Sequence, residues 1–334
     1  MGLQIGDLTP RRGIKVEELR GKVIAVDAYN ALYQFLASIR QPDGTPLMDS
    51  EKRITSHLSG LFYRTISLLS EGVKLVWVFD GISNEMKQAE QEKRREARAS
   101  QEVKFKTALE EEDVDKMRKY RSLGRLTEEM IAESKELLEA MGVAVVQAPA
   151  EGEMQAAQLV RERSAYAVAS QDYDALAVGG RLIQNLTLAK TRKTVSGMIY
   201  ISPELLEYED VLQTLGVNTD QFISLAILVG TDFNPGGVKG IGPKKALALV
   251  KEKKFPVRIF GSLEGKVDFD WQAVFQLFKE PEVTKDVRVE FPKLDGEKIM
   301  EILVERHEFN EGRVEKQLDK LKEGKGKAAQ TTLF

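Results

Sequence analysis

The stretch from Ala165 to Ala175, AYAVASQDYDA, sets the tightest limit on what this chain can fold into. A short apolar run, Tyr166 to Ala169, leads through Ser170-Gln171 to two carboxylates, Asp172 and Asp174. Carboxylates set side by side repel, and removing them from water is costly unless positive charge stands between them. The pattern recurs. Val23 to Val26 runs into Asp27, Leu75 to Phe79 runs into Asp80, and Val143 to Val146 is followed by Glu151 and Glu153. Stretches of helical period separate these runs: Ala28 to Ile39, Thr55 to Ser70 and Leu126 to Met141. Strands alternating with helical crossovers build a parallel sheet, whose carboxyl ends gather at one edge and bind ligands there. The expected fold is therefore α/β, a mostly parallel twisted central sheet flanked by helices. Acids gathered at that edge suit hard divalent cations, which take oxygen ligands. Taken singly, each acid also has a plainer reading. Asp172 and Asp174 fit a polar turn, and Glu151 and Glu153 fit a first helical turn, where acids complement the dipole.

Composition closes off other chemistries. The chain has 334 residues, enough for one large domain or two ordinary ones. It has no cysteine, which excludes disulfides, thiolate metal sites and cysteine nucleophiles. Two histidines, His57 and His307, are too few and too isolated for a zinc site. No run of apolar residues is long enough to span a membrane, and the start has neither a signal-peptide core nor a myristoylation motif. The net charge of −3 gives no global signal for nucleic acid, so local charge decides. From Glu85 to Arg125, twelve Lys and Arg stand against ten Asp and Glu with little apolar surface. That describes a solvated helical excursion. Within it, Lys87 and Arg94 lie seven apart on one helical face, within reach of a phosphate held at the acids.

On the first helix, Tyr33 and Arg40 are also seven apart and are expected to share a face. Arg181–Asn185 and Met198–Ile201 are predicted to form the sheet's edge hairpin, joined by a basic linker at Lys190–Lys193. An apolar helix, Gln221 to Val229, ends at Gly230-Thr231-Asp232, a seventh acid after buried structure. There follows the strongest short motif of the chain, NPGGVKGIGPKKA from Asn234 to Ala246. Glycines that admit close approach, then Pro243 at a first helical position, spell a helix-hairpin-helix whose free amides accept a phosphate. Six lysines against one acid between Gly236 and Lys254 make it locally basic. Beyond it, helices are predicted near Trp271–Phe278, Gly296–Arg306 and Asn310–Lys322, then a mobile Lys/Gly/Ala-rich tail from Gly324.

Read together, the segments VIAVDAYNALYQFL, DGTPLMDS, ITSHLSGLFYRT, VWVFDG, QAPAEGEMQAA, ASQDYDAL and LAILVGTDFNPGGVKGIGPKKAL resemble an archaeal flap endonuclease. That family belongs to the structure-specific 5′ nucleases with a PIN-like core, and the likeness covers nearly the whole chain. It implies a 5′ flap endonuclease with 5′→3′ exonuclease activity, acting by two-metal hydrolysis in Okazaki-fragment maturation and DNA repair. By the same resemblance, Glu153, Asp80, Asp27 and Glu151 serve mainly one metal, and Asp172, Asp174 and Asp232 the other. The metals would be two Mg²⁺, with Mn²⁺ able to substitute. Tyr33 would stack on a base beside the scissile phosphate, with Lys87 and Arg94 as the catalytic cation pair. Arg40, Gly237, Val238, Gly240, Ile241, Gly242, Lys244 and Lys245 would bind DNA, with K⁺ held near Gly237, Val238 and Ile241. Gly2 resembles the mature N-terminus near the active site.

The implied organisation is one nuclease domain in five parts. These are an N-terminal region 1–81, an arch 82–125, an internal region 126–254 with the helix-hairpin-helix at 221–254, a helical part 255–323 and a flexible clamp-binding tail 324–334. Implied partners are flap DNA and a sliding clamp, and the implied state is a monomer in the nucleoid-associated cytoplasm of an archaeal cell. Two departures from the family pattern stand out. Ser83-Asn84 replace the prolines usual after Asp80-Gly81, and the clamp motif keeps Gln330 and Leu333 but ends at Phe334. The alternatives are a non-catalytic nucleic-acid-binding or scaffolding protein of the same core and, among enzymes, a 5′→3′ exonuclease or a gap or bubble nuclease of the superfamily. The full set of acids argues against the first, and the lack of a long insertion before Glu151 against the bubble-cutting relatives.

Overall fold

The apolar runs become strands and the helical-period stretches become the crossovers between them. The computed structural model describes residues 3, 5–81, 126–187, 191–194 and 197–331. In chain order the elements begin with β1 (Arg12–Gly13), β2 (Val23–Asp27), α1 (Ala28–Ser38), α2 (Ser56–Ser70) and β3 (Lys74–Phe79). Then come α3 (Glu128–Ala140), β4 (Ala144–Gln147), α4 (Gly152–Arg161), β5 (Ala167–Ala169), α5 (Asp174–Ala177) and β6 (Leu182–Gln184). After these run β7 (Thr191–Thr194), β8 (Gly197–Tyr200), β9 (Glu204–Leu206), α6 (Tyr208–Leu215), α7 (Thr219–Val229) and α8 (Pro243–Lys253). The chain closes with α9 (Pro256–Gly261), α10 (Trp271–Lys279), α11 (Gly296–Met300) and α12 (Glu311–Thr331). Among the described residues no helix is long and apolar enough to cross a membrane.

Seven strands form one sheet in the order β1-β9-β6-β5-β2-β3-β4. Strands β4, β3, β2, β5 and β6 are mutually parallel, and β9 and β1 close one side antiparallel. From β2 the chain moves outward to β3 and β4, then returns to lay β5 on the other flank of β2. The direction of winding therefore reverses between β2 and β5, and open parallel sheets bind ligands at such a reversal.

Strand alternation sends side chains to two cores. Ala25, Val76, Val78 and Val168 face one layer with α4, α5, α7 and α8. Ile24, Val26, Leu75, Trp77 and Phe79 face the other with α1, α2 and α3. Both faces are covered, as a buried parallel sheet requires.

The edge hairpin differs from expectation. Residues 197–200 do not pair with β6; they pair with β7 as a separate two-stranded ribbon, and β6 takes β9 as its antiparallel partner. Burial explains the choice, because Leu206 enters one core and Leu205 the other, so this short strand satisfies both layers at once. The tail also differs, since α12 continues as helix through Thr331. Lys, Glu, Ala and Gln favour helix, and only Gly324 and Gly326 oppose it. Helices α6 and α9 are additions to the elements expected from the sequence.

The helical part after α10 is fastened to the first half by polar contacts. A π-turn at Glu301–Glu305 follows α11, and Arg306 N–H donates to the Glu301 carbonyl at 3.0 Å. The extra residue brings Arg306 and His307 onto α3. Arg306 grips Glu136 through two bonds of 2.8 and 3.0 Å, which with Lys298 holds that carboxyl down to about 2. His307 stands between Glu133 at 2.9 Å and Asp49 at 3.0 Å.

Candidate active site

Every parallel strand that carries an acid delivers it to the same edge. Asp27 is the last residue of β2 and also caps α1, accepting from the Asn30 amide N–H at 3.0 Å. Strand therefore turns into helix with no loop between, which fixes the carboxylate against both. Asp80 follows β3 directly, and its Oδ1 accepts from the Gly152 N–H at 2.8 Å. That bond ties the end of β3 to the start of α4, where Glu151 is the N-cap residue and Glu153 lies in the first turn. Gly81 N–H adds a second tie to the Ala150 carbonyl at 2.6 Å, and the Gln147 amide donates to the Asp80 carbonyl at 2.5 Å. On the other flank of β2, Asp172 follows β5 and Asp174 opens α5.

The winding reversal is bridged by two small side chains. Ser170 Oγ donates to Asp27 Oδ2 at 3.1 Å and accepts from the Asp172 N–H at 3.2 Å. Asn30 donates through Nδ2 to Asp172 Oδ2 at 2.8 Å and accepts the Gln171 N–H at 3.2 Å. Asp27 and Asp172 are thus held as a braced pair. Asp174 Oδ1 accepts the Leu3 N–H at 3.4 Å, and α5 packs on α7, whose end leads to half-buried Asp232. Neither Asn30 nor Ser170 carries a charge or a motif role that marks it in the sequence. The usable signal was their spacing, Asn30 three residues beyond Asp27 and Ser170 two before Asp172.

Asp27, Glu151, Glu153 and Asp174 are 6%, 6%, 7% and 1% exposed, so like charges sit together in low dielectric. Among the described residues, no three acids or histidines converge on one point in a ready metal cage. Scaffold N–H and O–H groups instead hold Asp27, Asp80, Asp172 and Asp174. The seven acids singled out by the sequence offer only carboxylate oxygens, at or just beyond strand and helix ends, a set whose chemistry fits hard divalent cations such as Mg²⁺ or Mn²⁺.

Tyr33 is half-buried on α1. One turn earlier, Tyr29 has its hydroxyl pushed up to about 12 by burial and by the negative charge of Asp80. Arg40 does not share a helical face with Tyr33, because α1 ends at Ser38. Instead Arg40 bridges to Pro46, and its guanidinium donates to the carbonyls of Ala37 and Gly44, each at 3.1 Å. The turn-forming Gln41-Pro42-Asp43-Gly44 ends the helix before its face can extend that far. Lys87 and Arg94, with the whole arch at 82–125, lie outside the described residues, as do Gly2, Leu333 and Phe334. The backbone of Gln330 falls in the last turn of α12.

The helix-hairpin-helix forms as expected from α7, the 230–242 loop and α8, with Gly242 as N-cap and Pro243 in the first turn. Asn234 organises the loop. Its Oδ1 accepts from Thr231 Oγ1 at 2.7 Å and its Nδ2 donates to the Ile227 carbonyl at 2.7 Å. Gly237 has φ +57°, and a Cβ there would collide with the Leu228 carbonyl. Val238 is a buried plug whose N–H donates to that same carbonyl at 2.9 Å. Gly240 and Gly242 are exposed, Ile241 is half-buried, and Lys244 and Lys245 project into solvent. Asp232 and the hairpin belong to one loop, tied by the Asn234 bonds.

A carboxylate-lined edge at the winding reversal of a parallel sheet, with a glycine- and lysine-rich hairpin beside it, defines a metal-dependent nuclease with a PIN-like core. Known proteins agree. Residues 5–101 match the XPG N-terminal domain and residues 142–232 the XPG I-region. Flap endonuclease 1 of Aeropyrum pernix is 50% identical over 96% of this chain and 94% of its own length. That of Pyrococcus abyssi is 50% identical over 100% of this chain and 97% of its own. The solved flap endonuclease-1 from Methanococcus jannaschii superposes with a TM-score of 0.77 at 41% identity, covering 96% of this chain and 98% of the other. The chain belongs to the flap endonuclease family, metal-dependent structure-specific 5′ nucleases that hydrolyse DNA in replication and repair.

Proposed function

We propose that this chain cleaves 5′ flaps at single-strand/duplex junctions, with the sheet edge as the two-metal catalytic centre. The observation that carries the reading is the brace formed by Asn30 and Ser170, which holds Asp27 and Asp172 together across the winding reversal. In this reading Glu153, Asp80, Asp27 and Glu151 hold mainly one divalent ion and Asp172, Asp174 and Asp232 the other. Such ions, when bound, activate water and neutralise the phosphate. The protein's own part is to hold the carboxylates fixed, so that little reorganisation remains for the reaction. Tyr33 stacks on a base next to the scissile phosphate. Lys87 and Arg94 supply cationic hydrogen-bond donors to the charge that develops on it.

The 82–125 segment is assigned as the arch that receives the 5′ strand. The hairpin amides and Lys244 and Lys245 grip the duplex, with K⁺ held by carbonyls near Gly237, Val238 and Ile241. Gln330, Leu333 and Phe334 are assigned to a sliding clamp. The protein acts as a monomer in the nucleoid-associated cytoplasm. Labelled double-flap and blunt duplex substrates, cut side by side with Mg²⁺, test the reading. Junction cleavage should dominate, and Asp172→Asn should abolish it while DNA binding persists. Full cleavage by that variant at saturating Mg²⁺ would remove Asp172 from the centre.

A further inference from the structure

The opposite edge of the sheet, at the amino ends of β2, β5 and β6, carries a cavity of about 550 Å³. It lies between the end of α4 and the start of α6, and nothing in the nuclease chemistry uses it. Three arginines and two glutamates line it. Arg181 is already engaged, since its Nε donates to Glu207 at 2.6 Å and its guanidinium lies 4.1 Å over the Tyr166 ring. Arg161 and Arg163 are different. Both are exposed, and among the described residues neither makes an ion pair or a side-chain hydrogen bond. Arg163 also holds a left-handed backbone, φ +62°, at the end of α4. Two guanidiniums with their donors unspent at one cavity match a phosphate group, which accepts several N–H bonds at once.

An aromatic surface stands on the other side. Tyr208 is held in place by its hydroxyl, which donates to Thr219 Oγ1 at 2.8 Å, and by an edge contact of its ring with Phe222. Beside it Gly179 has φ +85°, and a Cβ there would sit 3.8 Å from the ring. Glycine therefore leaves part of that ring uncovered toward the cavity. The volume falls within the range of small-ligand sites, roughly 300–1,000 Å³. A ring on Tyr208 with an anionic group on Arg161 and Arg163 describes a nucleotide.

We propose that this amino-edge cavity binds a nucleoside phosphate, the phosphate against Arg161 and Arg163 and the base against Tyr208. The same chemistry is presented by a free nucleotide and by the 5′-phosphorylated end of a strand. Calorimetry of the full chain in chelator, which keeps divalent ions from the carboxylate edge, tests this with four probes: adenosine 5′-diphosphate, adenosine, inorganic phosphate and a 5′-phosphorylated trinucleotide. The diphosphate or the trinucleotide should bind with Kd on the order of 0.1 mM. Adenosine and phosphate alone should each bind at least about 10-fold more weakly. Arg161→Ala with Arg163→Ala should weaken binding by about 10-fold or more, and Gly179→Val should do the same by covering the ring. Response to the diphosphate assigns a small-molecule site, and response to the trinucleotide alone assigns a strand-end site. No saturable heat from any probe up to about 1 mM overturns the proposal. So does binding that survives the arginine pair but is lost in Lys244→Ala with Lys245→Ala, which would move the anion to the hairpin.

Discussion

At Gly152 a single methyl group would meet the carboxylate cluster. A Cβ there would stand 2.6 Å from Asp80 Oδ1 and 3.0 Å from the Val78 carbonyl, so the carboxylate must move. Gly152→Ala should lower the single-turnover cleavage rate by about 10-fold or more, since small misplacement of catalytic groups is costly. Flap affinity should change much less. An unchanged rate would mean that Asp80 needs no fixed position. The acids themselves were legible in the sequence, because each ends an apolar run and the runs alternate with helices. Asn30 and Ser170 were not, because their parts depend on partners 142 and 143 positions away. Arg40 falls off the shared face for a local reason, since α1 ends at Ser38, two residues before it.

Elements carry the next set of consequences. The hairpin loop was readable from its glycines and Pro243, whose backbone needs are local. The ribbon of β7 and β8 was not, because choosing β9 as partner of β6 depends on two cores that exist only after folding. Gly237 and the two lysines separate shape from charge within the hairpin. Gly237→Ala forces a Cβ against the Leu228 carbonyl and should lower DNA affinity by disordering the loop. Lys244→Ala with Lys245→Ala leaves the loop intact. It should weaken binding alike for all sequences and flatten the salt dependence by about one unit per lost phosphate contact. Affinity measured against salt concentration distinguishes the two, and an unchanged slope in the lysine variant would place the duplex elsewhere.

At the scale of the whole molecule, His307 joins segments far apart in sequence, Asp49 before α2 and Glu133 on α3, close to Arg53 and Arg306. The hydrogen bond to Glu133 raises its pKa above the usual 6.5. The folded state therefore favours the proton, and this stabilisation is complete below that value and lost as pH rises through the raised one. Buried His57 has the opposite sign. Burial pushes it down to about 4, and both ring nitrogens lack a hydrogen-bond partner among the described residues. Its contribution stands above 6.5, the ordinary value, and is lost as pH falls toward 4. In urea unfolding, His307→Gln should be less stable than the parent by about 1–3 kcal/mol near pH 6, with a smaller deficit near pH 9. His57→Leu should blunt the loss on the acid side. A deficit in His307→Gln that does not vary with pH would show that the imidazole is neutral in the fold.

The brace between Asp27 and Ser170 also has a consequence in time. The two residues are 143 positions apart, yet the ribosome delivers the chain from its amino end. At about 5–20 residues per second, Asp27 waits roughly 7–30 s for its partner to be made, and longer for it to clear the exit tunnel. During that interval β2 can have β3 beside it and β4 beyond that but has no β5, and three of the seven carboxylates, Asp172, Asp174 and Asp232, do not yet exist. A nascent copy thus emerges from the ribosome with its carboxylate edge incomplete. Its inactivity during that interval follows from strand order.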